Sequence, residues 1–197
     1  MRRCALAGWL AVAVLASGGV AASAGSPRLH GDMVWPAGAK RAPGFRLRDE
    51  RGRLVSLAGE RGQVVLLTFM YSRCRQLCPL EGRMLAAVER RLARSTRSLL
   101  LVVSVDPGGD TPATIRRFIR RAGLAGARWR WLVGSRSRLA PVWRAYRIDV
   151  QPGGVDIGHS SALYLLDRRG YERSGYAIPF RPAFVAADVR TLAHSRG

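Results

Sequence analysis

The residues of this chain with types and spacing suited to chemistry are Cys74 and Cys78, in the stretch FMYSRCRQLCPLEG. A thiolate is both a nucleophile and a soft metal ligand, so the pair has three candidate fates: a structural disulfide, a redox couple, or part of a metal site. On a helical turn the two Cβ atoms would lie about 5–6 Å apart. A disulfide wants about 3.8 Å. Two thiolates on one metal, with bonds of about 2.3 Å, accept sulfurs that stay apart. The spacer is one residue longer than the C-x-x-C of redox enzymes. The start of a helix after Cys78 would favour thiolate over thiol, which helps attack and ligation alike. Spacing alone leaves the three fates open.

The elements that must position the pair can be read from periodicity. FRLRD, a turn at ERG, and RLVSL form a short hairpin. QVVLLTFMY is an unbroken apolar and β-branched run, the pattern of a strand buried on both faces. A helix is expected from Pro79, its first residue, to about Arg94, with Leu80, Met84, Leu85, Val88 and Leu92 on one face. SLLLVVSVD is a second buried strand, and Thr111 with Pro112 opens a helix through Arg121. WRWLVG is a strand, Ser135 begins a helix to about Tyr146, SSALYLLD and YERSGYAI form a hairpin, and 181–194 is a last amphipathic helix. Residues 25–43 read as a linker and 44–197 as one domain. The order β-β-β-α-β-α-β-α-β-β-α predicts an α/β, thioredoxin-like fold: a central mixed sheet flanked by helices, with an N-terminal β-hairpin extension.

In such a sheet the strand beginning near His159 would lie beside the strand that leads to the cysteines. His159 would then face the cysteine loop as a third donor. His30 and His194 have no such coincidence and read as solvated. Two thiolates and an imidazole suit copper, whereas a structural zinc would want a fourth ligand.

Composition sets the compartment. MRR, an apolar stretch and ASA before Gly25 read as an export signal, or as a membrane anchor over residues 4–22. Cys4 falls in that segment, so the exported domain keeps two cysteines. The net charge is +20, and Lys40 is the one lysine among 33 basic residues. The export signal and the even spread of arginines argue against nucleic acid; an anionic membrane surface or an acidic partner fits better.

The chain resembles the Sco (SenC-type) family of copper chaperones, thioredoxin-like proteins of cytochrome c oxidase assembly. The segments that carry the resemblance are FMYSRCRQLCP, VVSVDPGGDTP and GHSSALYLLD, in that order. It implies Cys74, Cys78 and His159 as ligands of one copper ion per domain, Cu(I) and/or Cu(II). It implies the copper-receiving oxidase subunit as partner, with an upstream copper donor and a thiol reductant. It also places Asp106 and Asp110 in an acidic loop near the site, where a turn and helix-start role is the alternative. Gln76 and Gly158 stand where the family commonly has acidic residues. The competing function is a thiol–disulfide oxidoreductase in which Cys74 attacks and Cys78 resolves. A peroxidase or an inert disulfide domain fits the pattern less well.

Overall fold

The computed structural model describes residues 28–151 and 157–195, so the expected signal or anchor lies outside the described residues. In chain order the elements are β1 (Met33–Val34), β2 (Arg46–Asp49), β3 (Leu54–Ser56), β4 (Val64–Met70), α1 (Leu77–Glu89), β5 (Ser98–Ser104), α2 (Pro112–Ala122), β6 (Trp129–Val133), α3 (Arg136–Ala145), β7 (Val150–Gln151), β8 (Gly158–His159), β9 (Ala162–Leu166), β10 (Glu172–Ala177) and α4 (Pro182–His194). Eight strands make one mixed sheet in the order β1-β10-β9-β4-β5-β6-β2-β3, and β7 and β8 form a separate two-stranded ribbon. The thioredoxin-like reading therefore holds, with the β2–β3 hairpin at one edge.

Every residue of β4 and of β5 is buried. Side chains alternate along a strand, so both faces must be covered. On one face Thr68 of β4 meets Glu81 of α1, and α1 packs between α2 and α4. On the other, Phe69 lies 5.6 Å from the ring of Tyr146, which ends α3. β4 and β5 run parallel from Val64↔Ser98 to Met70↔Ser104, and β9 lies antiparallel on β4's other side. The cysteine loop therefore leaves the sheet at the C-terminal end of its central strand, where ligand sites of α/β sheets gather.

Five expectations need correction. Helix α1 starts at Leu77, two residues before Pro79. Its buried face is Cys78, Glu81, Gly82, Leu85, Ala86 and Val88, while Leu80 is exposed. Hydropathy chose Leu80; the fold instead turns inward a carboxyl that Thr68 can bond and a glycine that α2 can approach.

The residues read as a linker are fastened to the domain from residue 30 onward. β1 pairs antiparallel with β10, Trp35 N–H donates to Arg173 O at 3.0 Å, and Lys40 Nζ lies 2.7 Å from Glu172. His30 is not simply solvated: its Nδ1 lies 2.6 Å from Asp188 and its ring stacks on Phe184 at 4.8 Å. Asp188 is fully buried and needs donors, and this segment supplies the His30 backbone and ring N–H. Two-residue pairings of this kind leave no periodicity to read.

Lastly, His159 does not head a strand of the main sheet. It lies in the β7–β8 ribbon, Val150 opposite His159, and β9 begins only at Ala162.

Candidate metal centre

The loop from Tyr71 to Gln76 turns back on itself, with Cys74 N–H bonded to Tyr71 O at 3.3 Å. Helix α1 then opens without a side-chain cap from Gln76. Helix starts leave N–H groups unpaired. The sulfur of Cys74 takes up this role, accepting from Cys78 N–H at 3.5 Å and from Gln76 N–H. Both cysteines are free; Cys74 is half-buried and Cys78 is 1% exposed. The Cys78 thiol donates to the Cys74 sulfur, and with the backbone donors and the Tyr71 hydroxyl it brings the Cys74 thiol down to about 5. Donation to that sulfur and burial push Cys78 far up. The result is one reactive thiolate at the surface and one protonated thiol beneath it.

Below them lies Glu81, fully buried, which sequence reading passed over. Burial pushes its carboxyl up to about 8. The bonding agrees. Thr68 Oγ1 contacts both Glu81 and the Ala162 carbonyl, the latter at 3.1 Å. A hydroxyl has one hydrogen, and a carbonyl only accepts. Both contacts are satisfied when Glu81 holds a proton and donates it to Thr68, which donates to Ala162. The signal in the sequence was a charged residue at a helix position spaced i+3 from Cys78.

His159 reaches the loop through Tyr71. The two rings meet edge-on at 5.8 Å, and the Tyr71 hydroxyl accepts from Ile157 N–H at 3.1 Å. His159 Nδ1 lies 2.9 Å from Ser160 O. A carbonyl only accepts, so Nδ1 carries the hydrogen, and in the neutral ring Nε2 keeps a free lone pair, the form a metal requires. The structure thus brings Cys74 and Cys78 together and sets His159 against the residue that begins their loop. Among the described residues no three His, Cys, Asp or Glu side chains form a ready-made metal cluster.

Asp106 and Asp110 brace the loop. Asp110 Oδ1 accepts from Ser72 N–H at 2.7 Å; Oδ2 accepts from Ser104 Oγ at 2.6 Å and Trp131 Nε1 at 2.9 Å. Burial pushes this carboxyl up while those donors pull it down. Asp106 Oδ2 pairs with the Arg73 guanidinium at 2.8 Å, over Gly109, whose Cβ would fall 2.0 Å from that oxygen. The helix start belongs to Thr111, in a reciprocal capping box with Thr114.

Comparison with known proteins agrees with this architecture. A family model described as SCO1/SenC matches residues 36–194. The mitochondrial SCO2 homologue of Bos taurus is 36% identical over 137 residues, covering 64% of this chain and 50% of the relative. The chain spans about half the length of the mammalian SCO2 relatives it matches. Among solved structures, copper-bound ScoI of Bradyrhizobium japonicum superposes with a TM-score of 0.67 at 26% identity, covering 77% of this chain and 99% of ScoI. BsSco, described as having a disulfide switch and as a member of the Sco family of cytochrome c oxidase assembly proteins, gives 0.71 at 21% identity, covering 83% of this chain and 99% of BsSco.

Proposed function

The chain belongs to the SCO1/SenC family, and from that premise we propose that it is an exported copper-binding chaperone. It carries one copper ion as cargo on Cys74, Cys78 and His159 and delivers it to the binuclear copper site of a cytochrome c oxidase. Residues 1–24 direct it out of the cytoplasm, after which it is periplasmic or tethered by residues 4–22.

The observation that carries this reading is the pairing of two free thiols at the start of α1, one half-buried and ionised, one fully buried. Soft sulfur donors suit Cu(I), and a helix N-terminus stabilises the thiolates that hold it. His159 adds an imidazole whose Nε2 is left free by the Ser160 bond. Loading requires Cys78 to give up its proton. Transfer follows when an acceptor's ligands replace these one at a time, which an incomplete coordination shell permits.

Titration of the reduced protein with Cu(I) under a competing chelator tests this. One equivalent should bind, and His159→Ala should weaken it. No binding, or an unchanged affinity in that variant, refutes the three-ligand reading.

The same asymmetry of thiols supports a second reading, a thiol–disulfide reductase. The Cys74 thiolate attacks a partner disulfide, forming a mixed disulfide and releasing one partner thiolate. Cys78 then attacks the Cys74 sulfur, releasing the second thiol and leaving a Cys74–Cys78 disulfide for an external dithiol to reduce. Both readings start from the same dithiol.

A further inference from the structure

From the Cys74 thiol a groove of about 360 Å³ runs along the seam between α1 and α2. Four arginines wall it, Arg75, Arg83, Arg117 and Arg121, over Phe118 and Ala122. The helices close up here because position 82 has no side chain: a Cβ on Gly82 would sit 2.9 Å from Ala122 Cβ and 3.1 Å from Phe118 Cζ.

All four guanidinium groups are on exposed residues, and none takes part in the ion pairs found among the described residues. Arg73, on the other side of the loop, is paired with Asp106. The sequence explains the lack of compensation. No acidic residue occurs between Asp110 and Asp149, so α2 has none. Helix α1 has two, of which Glu81 faces the interior and Glu89 lies far along the helix near Arg128. Four like charges around one concavity repel each other, and no acidic residue lines it. Such an arrangement favours an incoming anion and steers it.

We infer that this groove docks an acidic polypeptide segment of the protein that exchanges copper or electrons with Cys74. The partner's carboxylates bind Arg83, Arg117 and Arg121 and so bring its own metal-binding or thiol side chain to the Cys74 sulfur. The inference rests on the copper reading above and supplies the chemistry of the partner. A polypeptide fits better than a lipid surface, because the site is a concave seam and ends at a thiol, to which a flat bilayer brings neither a metal ligand nor a disulfide.

The test uses the full reduced protein and a fluorescent peptide with glutamates flanking a serine in place of a cysteine, read by anisotropy. The glutamate peptide should bind and its glutamine counterpart should not. Replacing Arg83, Arg117 and Arg121 with Gln should weaken binding about tenfold, as three partly screened ion pairs would. Replacing Arg90, Arg94 and Arg128 with Gln, at the far end of α1, removes the same charge and should weaken it far less. Backbone amides of Cys74 and Phe118 should shift on binding. Equal losses in the two triple variants, no binding at all, or phosphatidylglycerol vesicles bound with the same dependence on the groove arginines would overturn the inference. Copper uptake by the unaltered protein is read without peptide, so its failure would sink the copper reading and leave the docking result standing separately.

Discussion

The ring of Tyr71 meets the imidazole of His159 edge-on at 5.8 Å, and the hydroxyl of the same tyrosine bonds the sulfur of Cys74. One side chain thus touches two of the three expected copper ligands, and through Ile157 N–H it also holds the chain just before His159. Tyr71 follows β4 directly and is buried, so the rigid centre of the sheet sets its position.

Tyr71→Phe removes that hydroxyl and keeps the ring. Cys74 loses one of several donors, so its ionisation should rise from about 5 by roughly one unit, the effect of a hydrogen bond to a charged sulfur. The pH profile of alkylation by iodoacetamide reads this directly. An unchanged midpoint would show that the hydroxyl does not stabilise the thiolate.

Glu81→Gln tests the buried proton. The carboxyl ionises near 4.5 in the unfolded chain and at about 8 when folded. Between those values the folded protein holds a proton that the unfolded chain has released. Its contribution to stability is therefore complete below about 4.5 and is lost as pH rises to about 8. Cys74, shifted the other way, adds stability over much of the same range, so the difference between wild type and variant is the quantity to measure. Glutamine can still donate to Thr68 and never ionises. Relative to wild type the variant should gain stability with rising pH by a few kcal/mol, flattening above about 8. Urea unfolding at a series of pH values checks it; a constant difference would refute the assignment.

Asp110→Asn should loosen the cysteine loop. The carboxylate accepts from Ser72 N–H, Ser104 Oγ and Trp131 Nε1, and an amide can accept on one oxygen only. At least one buried donor then goes unpaired, at about 1–3 kcal/mol. Denaturant unfolding should show this loss, and hydrogen exchange at the Ser72 amide should accelerate. Unaltered exchange there would mean that the loop does not depend on this brace.

Gly82→Ala should destabilise the protein although alanine is the better helix former. Intrinsic propensity favours the change by about 1 kcal/mol. The new methyl, however, lands 2.9 Å from Ala122 Cβ and 3.1 Å from Phe118 Cζ, where neither helix can yield without parting from the other. Overpacking typically costs about 1–3 kcal/mol, so a net loss is expected in thermal unfolding. A more stable variant would show that the seam is looser than the contacts imply.

Much of the fold was legible because its elements are locally encoded. The apolar runs at 64–70 and 98–104 name two strands buried on both faces, and Thr111-Pro112 marks a helix start wherever it is placed. The cysteines were legible for the same reason: their spacing and the helix that follows are neighbours in sequence. His159 was recognised as a candidate donor, but its setting was not, because the β7–β8 ribbon holds just two pairs and leaves no alternation to read.

What the sequence determined by itself was the set of chemical groups and the architecture that carries them: two thiols at a strand-to-helix turn, an imidazole downstream, and a mixed sheet between helices. The tertiary structure alone decided which groups are altered by their surroundings. It buried Glu81 against Thr68, tied His30 to Asp188, leaned His159 on Tyr71 and drew uncompensated arginines of α1 and α2 around one groove. Each of these joins residues far apart along the chain, or turns a polar side chain inward against its hydropathy. Periodicity reports which face of an element is apolar; it carries no information about which distant partner that face will meet.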